Sequence, residues 1–150
     1  MVINFQYPQG LQSPPFNKLN NSLISYICFN LEIIIINDGS KDDTLEKLIV
    51  NFKLKPVRFA LDYKIPCNEI RGVYKSNNMA FQKLIIVDKV NGGKADALNA
   101  GINIASNDLI TSIDVDCILE SVAILKIVKP FVEENDKKSH CIRWCNTCCQ

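Results

Sequence analysis

Glu32-Ile33-Ile34-Ile35-Ile36-Asn37-Asp38-Gly39-Ser40 is the stretch on which the fold turns. Four consecutive isoleucines leave no polar face, so the run predicts a strand buried on both sides, as in a parallel sheet. Asp38-Gly39-Ser40 bounds it as a turn. From Asp42 to Phe52 the pattern changes to a helical period, with Leu45, Leu48, Ile49 and Phe52 on one face. Ser40 followed three residues later by Asp43 resembles a capping box. Strand, tight turn and helix make half of a βαβ unit.

The same alternation recurs downstream. Leu84 to Asp88 reads as a second buried strand, and Asn91-Gly92-Gly93 as a turn. Ala95, Leu98, Ile102 and Ala105 then trace a helical face. Asp108 to Ile113 is a third strand, ending at Asp114-Val115-Asp116, and Ser121 to Val132 is helical until Pro130 interrupts it. Between these units, Lys53 to Gln82 is broken by Pro56 and Pro66, with Val57-Arg58-Phe59 as a short strand. Residues 1–30 read as irregular, apart from helical spacing over Asn17 to Phe29. Strands alternating with helices define an α/β class, with a mostly parallel sheet and flanking helices.

Composition narrows the function. At 47% apolar and 22% charged residues, the 150-residue chain has the make-up of one globular domain, not of a disordered tail. A net charge of +1 and the lack of a basic stripe exclude a nucleic-acid partner. No apolar run approaches the roughly 20 residues that span a bilayer, and the N-terminus lacks the pattern of a signal peptide. These features predict a cytoplasmic piece, compatible with membership of a longer membrane protein.

In open α/β sheets, ligands bind outside the carboxyl ends of the strands. Two of the three strands deliver acids there: Asp38 from one, Asp114 and Asp116 from another. Asp38 can accept a hydrogen bond from a base edge, while Gly39 permits the sharp turn; the plainer reading is a simple Asp-Gly turn. Asp114 and Asp116 stand two apart on an extended segment, so both side chains point one way. Two neighbouring carboxylates suit a hard divalent ion that also binds diphosphate oxygens; the plainer reading is a solvated pair. Lys94 opens a helix where the macrodipole favours an acid, so it reads as facing a diphosphate or a base; otherwise it is solvated. A P-loop fails at Asp88 and Ala95, and the Gly-x-Gly-x-x-Gly dinucleotide fingerprint is absent. An EF-hand fails at Leu119.

Taken together, these motifs carry a resemblance. Glu32 to Thr44 resembles the first strand-turn-helix signature of family-two glycosyltransferases. Gly92-Gly93-Lys94-Ala95-Asp96-Ala97-Leu98-Asn99-Ala100-Gly101 resembles their Lys-x-x-Ala-Leu-Asn-x-Gly helix, and Ile113-Asp114-Val115-Asp116 their DXD motif. The Gly-Gly-Lys variant looks most like the membrane-bound synthases of poly-N-acetylglucosamine, chitin or hyaluronan. The resemblance implies a GT-A fold, Rossmann-like but incomplete here, and transfer of a sugar with inversion from a UDP-sugar to a glycan or lipid-linked acceptor hydroxyl. It implies that Asp38 contacts the uracil, that Lys94 and Asp114 bind the nucleotide sugar, and that Asp116 ligates Mn²⁺ or Mg²⁺. It also implies action at the cytoplasmic face of the plasma membrane in a full-length, membrane-embedded relative.

The departures from the family pattern are specific. No Tyr-Asn-Glu precedes Leu31, and no Gln-x-x-Arg-Trp follows the DXD at the family's distance. The general base, an Asp well beyond the DXD strand, is not found, so no catalytic residue is assigned and the fragment is expected to be inactive alone. Residues 31–135 are then the nucleotide-sugar-binding half of the domain, and 1–30 an irregular or damaged segment. Residues 136–150 form a Cys-rich tail, whose back-translation one nucleotide later reads Val-Ile-Ala-Ser-Gly-Gly-Val-Ile-Arg-Val-Ala-Asn and points to a frameshift near Lys138. A zinc site on His140, Cys141, Cys145, Cys148 and Cys149 is the other reading. A nucleotide-sugar-binding module without turnover and a nucleotidyltransferase are the alternative functions.

Overall fold

The computed structural model describes residues 2–5, 31–60, 63–107, 109–114, 123–124 and 126–128. Its elements, in chain order, are strands β1 (Val2–Phe5) and β2 (Leu31–Asp38), helix α1 (Thr44–Phe52), strands β3 (Leu54–Val57), β4 (Ile70–Ser76) and β5 (Leu84–Lys89), helix α2 (Gly93–Ile104) and strand β6 (Leu109–Ser112). The strands form one six-stranded sheet in the order β3-β4-β5-β2-β1-β6.

The isoleucine run packs on both faces, with Ile34 buried and Ile33, Ile35 and Ile36 half-buried. Ile34 and Ile36 side with Val73, Ile85, Val87 and Ile104 in the cluster packed by Leu98 of α2. Ile33 and Ile35 side with Leu54, Leu84 and Ile86 in the cluster packed by Leu45, Leu48, Ile49 and Phe52 of α1. Because side chains alternate along a strand, residue parity decides which cluster a β2 residue joins. Asp38 therefore shares the α2 face, and Asn37 the α1 face.

The α/β class holds, but the expectation of a mostly parallel sheet needs correction. Only β2 and β5 are hydrogen-bonded in parallel. β1 pairs antiparallel with β2 and β6, and β4 antiparallel with β3 and β5. The cause is two reversed strands, β1 and β4, placed between strands of the other direction. β2, β5 and β6 still run the same way, so their carboxyl ends share one edge of the sheet. That is the geometry the acid convergence requires.

Smaller differences have local causes. The strand expected at residues 57–59 lies at Leu54–Val57, on the sheet edge, where Pro56 loses no interior ladder bond. The capping box is not formed: Asp43 is the N-cap of α1 without a side-chain cap bond, and Asp42 Oδ1 instead accepts from the Thr44 amide at 3.2 Å. Within residues 1–30, Val2–Phe5 supplies a strand; the helical spacing at 17–29 and the tail at 136–150 lie outside the described residues.

Candidate functional site

Asp38 ends β2, and Gly39 follows in the left-handed region at φ +70°. A Cβ on Gly39 would meet the Asn91 backbone nitrogen at 2.8 Å and Asn91 Cβ at 2.9 Å. Glycine is thus required twice, by dihedral and by space. Gly39→Ala is expected to cost about 2–3 kcal/mol, combining left-handed strain with the clash; the urea midpoint measures it. The close approach brings the turn at residues 91–93 against the end of β2, and Asn91 Nδ2 donates to the Asp38 carbonyl at 2.7 Å.

The Asp38 carboxylate then caps α2. Oδ1 accepts from the Gly92 amide at 3.0 Å and Oδ2 from the Gly93 amide at 2.8 Å. A carboxylate is favoured at a helix N-terminus, where amides lack intrahelical partners. Asp96 adds a second acid in the same turn.

Between these acids lies Lys89, a residue that the sequence reading did not single out. Its side chain is 0% exposed. Its ammonium donates to Asp38 Oδ1 at 2.7 Å and to the Val90 carbonyl at 2.6 Å, and pairs with Asp96 Oδ2 at 2.5 Å. All three N–H donors of the ammonium are used. The one available signal was register: Asp38 and Lys89 are direct partners across the parallel β2/β5 ladder.

Electrostatics follow from this geometry. Burial pushes the Asp38 carboxyl up, but the Lys89 hydrogen bond, the Gly92 amide, the Lys89 charge and the Gly93 amide together outweigh it, leaving it below its ordinary value. Burial pulls Lys89 down, yet its bonds to Asp38 and Asp96 and their charges leave it above its ordinary value. A depressed carboxyl stabilises the fold above the unfolded value, about pH 3.9, and loses that contribution as pH falls through the folded value. A raised lysine stabilises below its unfolded value, about pH 10.4, and loses that contribution as pH rises through the folded one. Denaturant midpoints across pH are expected to fall at both ends, with the alkaline fall reduced in Lys89→Met.

Lys94, one residue beyond the capped turn, reaches across to the end of β6. Its ammonium donates to Asp114 Oδ2 at 2.8 Å, with the two side chains 66% and 41% exposed. Asp38, Lys94 and Asp114 are therefore linked in one chain of contacts through the Gly92-Gly93 turn. Asp116 lies outside the described residues. Among the described residues no group of three or more His, Cys, Asp or Glu side chains is placed to hold a metal ion. Asp114 offers carboxylate oxygens, the donor type a hard cation takes, but as one ligand among the described residues and already paired with Lys94.

Helix α2 also fixes the loop before β4. Asp96 accepts from the Asn68 amide at 2.9 Å, Asn99 Nδ2 donates to the Pro66 carbonyl at 3.0 Å, and Asn103 exchanges two bonds with the Ile65 backbone. Spacings of three and four residues place these side chains on one helix face. A second polar cluster sits on the α1 face at the same sheet edge. Asp88 Oδ1 accepts from Asn37 Nδ2 and from Arg71 Nη2, each at 2.7 Å. Sequence reading missed this trio because only the β2/β5 register and a bulge in β4 bring it together.

A family description, Glycosyl transferase family 2, matches residues 70–144, half of the chain. The chain belongs to this family. The matched residues include Lys94, Asp114 and Asp116, not Asp38, and run into the first part of the 136–150 segment. Among curated relatives, the chain is similar to the poly-beta-1,6-N-acetyl-D-glucosamine synthase of Staphylococcus aureus strain COL, 39% identical over 101 residues. It is also similar to the enzyme of the same name from Staphylococcus epidermidis strain ATCC 35984, 34% identical over 100 residues. Each alignment covers 67% of this chain and 18% of the relative, so the chain spans less than a fifth of the length of these relatives. No solved structure matches the chain significantly. Among the described residues, no helix is long and apolar enough to cross a membrane.

Proposed function

We propose that the chain supplies the donor-binding part of a glycosyltransferase that uses a UDP-sugar, with transfer to a glycan or lipid-linked hydroxyl and inversion at the anomeric carbon. The observation that carries this reading is the contact chain Asp38–Gly93–Lys94–Asp114, which joins two strand ends and a helix start at one sheet edge. In this reading Asp38 holds the turn that aims Lys94, and Lys94 meets the diphosphate. Asp114 faces the nucleotide sugar. Asp116, with oxygens that suit a hard ion, holds Mn²⁺ or Mg²⁺, whose chemistry is to neutralise the departing diphosphate. None of these four residues is assigned to take the acceptor proton, so the reading covers donor binding and not acceptor activation. The names of the relatives support N-acetylglucosamine as the sugar.

The test is incubation with UDP-N-acetylglucosamine and, separately, with UTP plus N-acetylglucosamine 1-phosphate, each with Mn²⁺. Saturable binding of the UDP-sugar and no pyrophosphate from UTP are expected. Pyrophosphate release would replace this reading with nucleotidyl transfer, and no binding of either would end it.

A further inference from the structure

The turn at residues 91–93, which leads into Lys94, is held from two sides. Asp38 holds one, through the Gly92 and Gly93 amides. Asn68, in the loop before β4, holds the other. Its Nδ2 donates to the Asn91 carbonyl at 3.0 Å, and its amide donates to both oxygens of Asp96, at 2.9 and 3.2 Å. One residue on, the Glu69 carbonyl accepts from the Val90 amide at 2.9 Å. The β4/β5 ladder stops at Ile70 and Lys89, so Glu69 and Asn68 carry the pairing past the strand ends and onto the turn.

Gly92 records how closely Asn68 and Asp96 approach the turn. Its φ of −141° is negative and open to other residues, so backbone freedom does not require glycine there. Space does: a Cβ would overlap the Asp96 carboxylate and stand 2.8 Å from Asn68 Nδ2. Gly93 is the converse. Its φ is +82°, and a Cβ on it would meet nothing within 4 Å. The turn is gripped at Gly92 and faces open space at Gly93, beside Lys94. The loop that grips it is fastened along α2, by Asn99 to the Pro66 carbonyl and by Asn103 to the Ile65 backbone.

We infer that Asn68 is a positioning residue of the donor site: anchored by Asp96, it fixes the turn at residues 91–93, and through the turn the place from which Lys94 meets the diphosphate. The inference rests on the UDP-sugar reading and deepens it. Lys94 is the next residue after the turn, and its exposed side chain reaches Asp114 at 2.8 Å. A long exposed side chain is aimed by the backbone it springs from, so a shift of the turn shifts its reach. Asn68 is itself exposed, and water can replace its partners, so its bonds contribute little to stability. What they fix is a distance. Asp96 joins this clamp to the one on the other side of the turn, because its carboxylate also pairs with Lys89, which bonds Asp38.

A double-mutant cycle, read by calorimetric titration of UDP into the chain with saturating Mn²⁺, tests the proposal. Asn68→Ala is expected to weaken UDP about 5–10-fold, within the range of coupling between residues of one hydrogen-bonded network. In the Lys94→Gln chain the same substitution is expected to change UDP affinity by less than about twofold, because the group it positions is gone. Asn68→Ser, too short to reach the Asn91 carbonyl, repeats the cycle should Asn68→Ala fail to fold. An equal loss in both backgrounds would reveal a merely structural role and overturn the proposal. So would unchanged UDP affinity in Asn68→Ala. Absence of UDP binding in the unaltered chain would instead defeat the UDP-sugar reading, and the positioning role with it.

Discussion

Lys89→Met is expected to lower the melting temperature by on the order of 10 °C. The substitution keeps an unbranched apolar stem of similar length in a site closed to solvent, so it tests the charge and not the volume. Without the ammonium, the carboxylates of Asp38 and Asp96 confront each other, and the Val90 carbonyl loses its donor. Removing one partner of a buried ion pair costs about 3–5 kcal/mol. The carboxylates are about one-fifth exposed, which favours the lower end of that range. At about 2–4 °C per kcal/mol for a chain of this size, a shift near 10 °C follows. A loss of about 3 kcal/mol is a large fraction of the roughly 5–15 kcal/mol that holds a domain folded. Thermal melts at neutral pH give the answer. A shift below 2 °C would mean that the acids relax apart or take up protons without strain.

Lys94→Gln is expected to do the opposite: little to stability and much to binding. The Lys94–Asp114 pair is exposed on both sides, and such pairs contribute about 0–1 kcal/mol. Its melting temperature should therefore stay within a few degrees of the unaltered chain. A hydrogen bond from a charged donor to a diphosphate contributes about 1.5–3 kcal/mol, or about 10–100-fold in affinity for UDP. Calorimetry and a melt on the same preparation separate the two effects. A large loss of stability with unchanged UDP affinity would recast Lys94 as a strut between α2 and the end of β6. On the proposed reading the two lysines divide the labour of the site: Lys89 holds the turn together, and Lys94 meets the donor from it.

How much of this was legible in the sequence depended on locality. The β2 and β5 runs and the apolar periods of α1 and α2 are local signals, and each formed where its pattern stood. Asp38, Lys94 and Asp114 were legible for the same reason, because each follows directly from a strand end or opens a helix. β4 was not, since Arg71, Gly72 and Lys75 dilute its apolar content below a recognisable run. The reversed direction of β1 was illegible too, because four residues carry no record of which distant strands they join. Lys89 follows the apolar run directly and carries no local sign of its burial. Its burial depends on the β2/β5 register and on Asp96 a turn into α2, both non-local. The Asn37–Asp88–Arg71 trio needs that register and the bulge in β4 together. The fold class could be read from composition along the chain, whereas the polar wiring of the site required pairing between strands.

On the proposed reading, the β2 end, the turn before α2 and the β6 end form one anion- and cation-binding edge. Titration of UDP into the chain with saturating Mn²⁺, beside the Asp114→Ala variant, tests it most directly. Saturable binding in the unaltered chain, weakened at least about tenfold in Asp114→Ala as expected when a charged contact is lost, is the predicted result. UDP affinity that is the same in both, or that does not change when Mn²⁺ is withheld, would contradict it.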